Sequence, residues 1–526
     1  MYNSNTKNMN KLIYRSIYCT LIASALGLTS CDFEKINEPK YQASEADLKG
    51  DNFNLGAFFP QLQDIAFPAQ ENNYQMNENL IGDVYGRYMM TTKSQWNSKT
   101  FAVYKAVSGW YGFPFNSTMP SVYTAWDEIK KITEGTGVNF AWAQILRVTA
   151  MQRITDMYGP IPYTKVSSGN LKVPYDSQEE VYKAMFVDLT NAINVLTTYV
   201  SANPSSKPMA DYDGVYGGDF RQWIKFANSL KLRMALRIRY ANPELARKMA
   251  EEAVGHIVGV MTTNSDNAKY FYSKGNPITV MWDAYKDTRV CADLTSYMNG
   301  YKDPRMSKYF QISDDIKGQK GYIGLRSGIA TESESWACKY SAPNISKSDA
   351  LYWMMVSEVS FCRAEGAMLG WSMNGTAKEL YELGIKQSFD LWGATGYDVY
   401  IANDTSKPAD YVDPNSKGSI GALSNITIKW NENDTQERKL ERIITQKWIA
   451  LYPIGQEAWS EYRRTGYPKF FPVAQTTEYS GLIVANRIPF SYSEYENNAD
   501  EINAAIKLLG GLDNYATKLW WDKKSK

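Results

Sequence analysis

A mostly α-helical fold, with helix pairs as scaffold, loop-rich insertions and a few short strands, is predicted by three observations. Apolar residues recur every three or four positions over long stretches, as in Trp142, Leu146, Ala150, Ile154 and Met157, which lines one face of a helix. Capping boxes open two stretches, at Ser177-Gln178-Glu179-Glu180 and Thr376-Ala377-Lys378-Glu379, where the first and last side chains satisfy each other's backbone N–H. Gly-Pro punctuation closes another at Tyr158-Gly159-Pro160.

Taken in order, helix signals begin at residues 55–65 and 76–90. From 91 to 120 no helical period is visible and aromatics are dense, with Trp96, Trp110, Tyr111 and Phe113. A helix follows at 122–132. The Trp142 helix, its stripe widened by Ile145, Val148 and Met151, reads as buried on most sides. The Ser177 box opens a helix with Val181, Met185, Leu189, Ala192 and Leu196 inward, and Asp219 opens a third with Trp223, Phe226, Leu230, Met234 and Ile238 inward. Asn242 as N-cap and Pro243 in the first turn start a fourth. Two long pairs in succession suggest helix–turn–helix repeats of the tetratricopeptide kind.

Periodicity fades from 262 to 340, where Gly, Asn and Ser mix with Trp282, Tyr285 and Trp336, and Asp303-Pro304-Arg305 reads as a turn. Helices return at 349–369 and 376–392, and 403–425 reads as loop. Leu440, Ile444, Trp448 and Leu451 line one helix, and Pro453-Ile454-Gly455 leads into another carrying Trp459 and Tyr462. These make a third and a fourth pair. A Tyr-rich stretch, a helix near 499–508 and Trp520-Trp521 finish the chain.

The amino terminus carries an address. Lys7, Lys11 and Arg15 precede an apolar run at 17–28, then Leu28-Thr29-Ser30-Cys31, the pattern of a secretory signal ending in a bacterial lipobox. The run is about half of the roughly 20 residues a spanning helix needs. Residues 1–30 therefore read as a lipoprotein signal, Cys31 as the lipid attachment site, 31–50 as a polar tether and 51–526 as one domain. The lipid alone is expected to meet the membrane.

Composition excludes several classes. Of 57 basic residues, Lys7, Lys11 and Arg15 leave with the signal, so 54 stand against 56 acidic, a net of −2. That is no footprint for nucleic acid. Cys291, Cys338 and Cys362 remain after Cys19 and Cys31 are set aside; they form one disulfide at most, and three buried thiols are expected. His256 is the only histidine. It shares a stripe with Leu245, Met249 and Ala253 and is expected in the core, so histidine-based catalysis and His-ligated metal sites are close to excluded. No catalytic residue, metal ligand or cofactor is assigned. Asn264-Ser265-Asp266-Asn267 could offer oxygens to Ca²⁺ but lacks the spacing of a calcium loop, and a plain turn is expected.

Several segments resemble a known family. Arg153-Ile154-Thr155-Asp156-Met157-Tyr158-Gly159-Pro160-Ile161-Pro162-Tyr163 resembles the segment after the first repeat helix of SusD/RagB-type outer-membrane nutrient-binding lipoproteins. Gln446-Lys447-Trp448-Ile449-Ala450-Leu451, Glu457-Ala458-Trp459 and Arg463-Arg464-Thr465-Gly466-Tyr467-Pro468 are similar to that family's C-terminal repeat. Asn486-Arg487-Ile488-Pro489-Phe490 and Lys518-Leu519-Trp520-Trp521-Asp522 complete the likeness, which covers nearly the whole mature chain. It implies four tetratricopeptide-like pairs, no catalysis, and capture of oligosaccharide, or in some members peptide. It also implies a TonB-dependent outer-membrane barrel of the SusC type as partner. The location implied is the outer membrane of a Gram-negative bacterium, facing the exterior, and Asp32 and Glu34 fit the surface-export signal of such lipoproteins.

The resemblance places the binding face on 91–120 and 262–340, and physical chemistry agrees. A sugar ring stacks its apolar face on Trp or Tyr while its hydroxyls pair with short polar groups. Aromatics give rigid contact area at small entropic cost. Trp96 between Gln95 and Asn97, Trp110-Tyr111 between glycines, Trp282-Asp283 with Tyr285, and Trp336 are the candidate ligand contacts. Trp142, Trp223 and Trp448, on helical stripes, are expected in the core. The rival readings are a lipid-anchored glycoside hydrolase working through two carboxylates and a structural tetratricopeptide adaptor.

Overall fold

Trp142 anchors the first repeat for a reason visible in its neighbours. Its ring stacks on Phe59 with centroids 3.9 Å apart and tilts against Trp223 at 5.6 Å. These contacts tie α1 (Phe58–Ala66), α3 (Gly137–Tyr158) and α5 (Phe220–Arg237) into one apolar centre. The computed structural model describes residues 52–166, 172–475 and 477–525. The lipobox, Cys31 and the tether lie outside the described residues. Contacts divide the chain into a unit ending at Asn54 and one from Leu55 to Lys526, and every element below belongs to the second.

The architecture is mostly helical, as the stripes and caps predict. After α2 (Met119–Ile132), α3 packs on α4 (Gln178–Ala202), which opens on the Ser177–Glu180 capping box. The next pair is α5 with α6 (Pro243–Gly255). Beyond α7 (Ala292–Tyr301) come α8 (Val356–Met368) and α9 (Ala377–Trp392), the latter capped by Thr376 and Glu379. The fourth pair, α10 (Gln436–Leu451) and α11 (Gly455–Thr465), is spread apart. Its α10 packs mainly on α8, and α11 on a π-helical segment, Gln75–Asp83. A last helix, α12, runs over Ala499–Leu509. Trp142, Trp223 and Trp448 are buried, as their stripes predict.

Where the pairs meet, the core is charged. Arg233 on α5 grips Glu358 on α8 through two hydrogen bonds of 2.6 and 2.7 Å. Arg237 reaches Glu457 at 2.5 Å, Glu461 at 3.1 Å and Asp156 at 3.3 Å. Arg464 binds Glu365 at 2.5 Å and Glu461 at 2.6 Å, and Lys447 adds a third cation to Glu461 at 3.0 Å. All of these side chains are buried, so each charge depends on its partners.

The strands form two antiparallel ribbons. β1 (Met89–Thr91) pairs with β3 (Thr288–Val290), Met90 facing Arg289. β2 (Ala268–Tyr270) pairs with β4 (Leu351–Met354).

Several expectations are corrected. Met89 and Met90 belong to β1, so the helix expected through 90 ends earlier, at a left-handed Arg87. The helix expected from 349 begins at Val356, because Leu351–Met354 finds a strand partner and the Asn267 side chain receives the Val356 N–H at 2.7 Å. Within 262–340, α7 was not foreseen. His256 is not a core residue: α6 stops at Gly255, and the half-buried imidazole lies 3.3 Å from the Thr197 hydroxyl. Cys291 and Cys362 are buried thiols, whereas Cys338 is only half-buried. The turn expected at Asn264–Asp266 does form, with Asp266 accepting from the Thr262 and Thr263 N–H groups and from Lys225 at 2.8 Å.

Candidate functional site

The β1–β3 ribbon joins the two loop regions that carry the candidate aromatics. Past its end the Thr92 N–H donates to the Asp287 carbonyl at 3.0 Å, which carries the chain on from 93 beside 285–287. Lys93 then donates to the Tyr285 carbonyl at 2.8 Å and pairs with Glu334 at 2.6 Å. Asn97 exchanges two hydrogen bonds with Thr331, at 2.7 and 2.9 Å. Three segments far apart in sequence are thereby fastened side by side.

On this frame Trp96, in a 3₁₀ turn, stands edge to face with Trp110, centroids 5.0 Å apart and planes at 78°. Trp110 and Tyr111 occupy the helical turn Ser108–Tyr111, behind exposed Val107, Ser108 and Gly109. Tyr158 donates its hydroxyl to the Tyr111 carbonyl and fixes that turn from below. Trp96, Trp110 and Tyr111 are all half-buried, with rings seated against the core. Such seating suits a stacking platform, because the ring surrenders little freedom when it is covered.

Tyr285 is 38 % exposed on the adjoining segment. Trp336 sits in the turn Glu334–Ala337, its ring edge-on to Tyr340 at 5.4 Å. Its indole N–H is shut from water, with no acceptor among the described residues. Trp336 is thus the least available of the set. Trp282 donates its indole N–H to the Ile345 carbonyl at 3.0 Å and lines a hollow to which none of the other candidate aromatics contributes.

Two tyrosines were missed in the sequence. Tyr492 is 57 % exposed and Tyr495 37 %. Their segment lies on the Trp110 turn, since Ser493 donates to Asn116 at 2.9 Å and a side chain on Gly112 would collide with the Ser491 hydroxyl. Tyr495 donates to Asp513 at 2.6 Å, an ordered polar group beside an exposed ring. Tyr492 and Tyr495, set among Ser and Glu in a short helical turn, carry no local signal that they will meet the Trp110 turn.

Two carboxylates beside these rings, Glu334 and Asp287, are occupied. Glu334 is held by Lys93. Asp287 is buried and accepts from the Gln75 amide at 2.5 Å. Burial pushes its carboxyl up to about 7, against the downward pull of Lys93 and of Gln75. Among the described residues no group of three His, Cys, Asp or Glu could hold a metal ion, and no helix is long and apolar enough to cross a membrane.

Comparison with known proteins gives one consistent answer. The SusD-like family profile, Susd and RagB outer membrane lipoprotein, matches residues 35–522. A SusD homologue from Bacteroides uniformis is 41% identical, with a TM-score of 0.85, over 90% of this chain and 100% of that one. A homologue from Bacteroides thetaiotaomicron is 39% identical, with a TM-score of 0.84, over 90% and 99% of the two chains. A chitin-binding SusD homologue from Flavobacterium johnsoniae is 38% identical, with a TM-score of 0.85, over 90% and 99%. No curated protein sequence matches.

Proposed function

The chain belongs to the SusD and RagB family of outer-membrane lipoproteins, and from that footing we propose that it captures a nutrient oligosaccharide at the cell surface. Captured ligand passes to a TonB-dependent barrel of the SusC type. The acylated Cys31 holds the protein to the outer membrane, facing the exterior. One observation carries the reading: Trp96 and Trp110, with Tyr111 beside them, present seated rings next to exposed Tyr285 and Tyr492. Sugar rings stack on such surfaces, and the exposed Gln95 and Ser108 offer hydrogen bonds at the rim. The chitin-binding relative lends support to a glycan as the ligand class.

No bond is broken in this account. A carboxylate hydrolase needs one acid and one base or nucleophile within reach of the same glycosidic bond. Beside these rings Glu334 is neutralised by Lys93, and Asp287 is buried under a Gln75 hydrogen bond.

A glycan and peptide array on the lipid-free domain tests the ligand class, and hits confined to peptides would overturn it. Trp96→Ala is expected to weaken the best glycan hit at least about tenfold, roughly 1.4 kcal/mol, measured at a temperature where a thermal melt shows the variant folded. Release of new reducing ends from any bound glycan would refute the non-catalytic reading. Copurification of a TonB-dependent barrel with the tagged lipoprotein is the expected sign of its partner.

A further inference from the structure

Trp282 lines a hollow to which Trp96, Trp110, Tyr111 and Tyr285 do not contribute, and that hollow is built like a second site. The hollow beside it, about 530 Å³, is bordered by Trp282, Gln311, Asn344 and Lys347. A second hollow of about 280 Å³ shares Asn344, Ile345 and Asp349 with the first and ends on Tyr352 and Trp392. Together they make a cleft with an indole at each end, of a size that accepts a small organic ligand.

Its shared wall is preformed. The Asn344 N–H donates to the Tyr309 carbonyl at 2.8 Å, and the Asn276 N–H to the Lys347 carbonyl at 3.0 Å. The Ile345 carbonyl takes both the Thr279 hydroxyl, at 3.2 Å, and the Trp282 indole. Gly275, at φ +94°, lies so close to Lys347 that an added Cβ would come within 3.0 Å of its side chain.

The polar rim has unused capacity. Among the described residues, Lys308, Lys347 and Asp283 make no side-chain hydrogen bond or ion pair. Gln311 and Asn344 spend only their amide N–H groups, on the Pro343 and Ser307 carbonyls, which leaves both amide oxygens as acceptors. Apolar ring faces closed in by uncommitted donors and acceptors match the two-sided chemistry of a pyranose.

We propose that the Trp282–Trp392 cleft is a second carbohydrate subsite, which takes further rings of a chain whose other rings stack at Trp96 and Trp110. This rests on the glycan reading above. Tyr285 bridges the two places: it follows Trp282 by three residues, about 5 Å of helical rise, and its carbonyl is bound by Lys93 of the Trp96 loop. A chain of several sugars is therefore the substrate class, and a disaccharide is too short to use both.

The test is calorimetric titration of the lipid-free protein with disaccharides and hexasaccharides of two series, β-1,4-linked N-acetylglucosamine and α-1,4-linked glucose. In the series that binds, the hexasaccharide is expected to bind wild type at least about tenfold more tightly than the disaccharide. Trp282→Ala should lose that gain. So should the double variant Lys308→Ala/Asn344→Ala, whose exposed positions carry little risk to folding. A gain that persists in both variants, or no gain in wild type, overturns the second subsite. If Trp96→Ala abolishes binding while the cleft variants behave as wild type, only the subsite falls. If wild type binds neither series nor any glycan of the array, the subsite and the glycan reading fall together.

Discussion

Asp287 shows how one side chain reports the state of the ring-bearing face. It titrates near 7 in the fold and near 3.9 in an unfolded chain. Between those values the folded protein holds a proton that the unfolded chain has released, so stability falls as pH rises from about 4 to 7. Asp287→Asn mimics the protonated form. It is expected to stabilise the protein by on the order of 1–3 kcal/mol at pH 8, a gain that fades as pH drops through 7 and vanishes near 4. Thermal melts across that range check both size and direction. At this scale the sequence was legible where a residue obeyed a helical period. Trp142, Trp223 and Trp448 lie in the core because their neighbours three and four positions away do. His256 followed the same spacing and still misled, since the period says nothing about α6 ending one residue earlier, at Gly255. Tyr492 and Tyr495 had no period to betray them.

Among the elements, caps were the clearest text. The boxes at Ser177 and Thr376 form as written, with Ser177 accepting from the Glu180 N–H at 3.2 Å. Ser177→Ala is expected to cost about 1 kcal/mol, read as a fall in the urea midpoint. Strands were hidden for a physical reason. Leu351-Tyr352-Trp353-Met354 is a short apolar run with no alternation to exclude a helix, and its partner, Ala268–Tyr270, is some eighty residues earlier. Pairing of that kind is a property of the fold and leaves no trace in a local window. The packing of α11 on the π-helical segment was equally invisible. There Gly82 faces the backbone of Gln456, and a Cβ on it would come within 2.6 Å of that nitrogen. Gly82→Ala is expected to destabilise by about 1–3 kcal/mol, while Gly109→Ala, which meets open space, should not. Chemical denaturation of the two variants side by side would show it.

Across the molecule, the four helix pairs are joined through ions as well as through apolar packing. Burial pushes the Glu461 carboxyl up, but Arg464, Lys447 and Arg237 outweigh it and hold the group well below the usual carboxylate range. Glu365 is held down in the same way by Arg464 and Arg239. Depressed values of this kind give stability that is present above about pH 4.3 and lost as pH falls below it. Glu461→Gln is expected to cost about 3–5 kcal/mol near neutrality, and its deficit should shrink in acid as the wild-type carboxyl takes up a proton. The order of helices could be read in advance, whereas this ionic hub could not. Its members are spread from Asp156 to Arg464, and only folding makes them neighbours. The same holds for the platform where Ser493 meets Asn116 and Thr331 meets Asn97. Pieces supplied by the start, middle and end of the polypeptide must all arrive before any ring is in place. A chain halted short of residue 491, however well its early repeats have formed, lacks both the Ser493–Asn116 clasp and the exposed rings of Tyr492 and Tyr495.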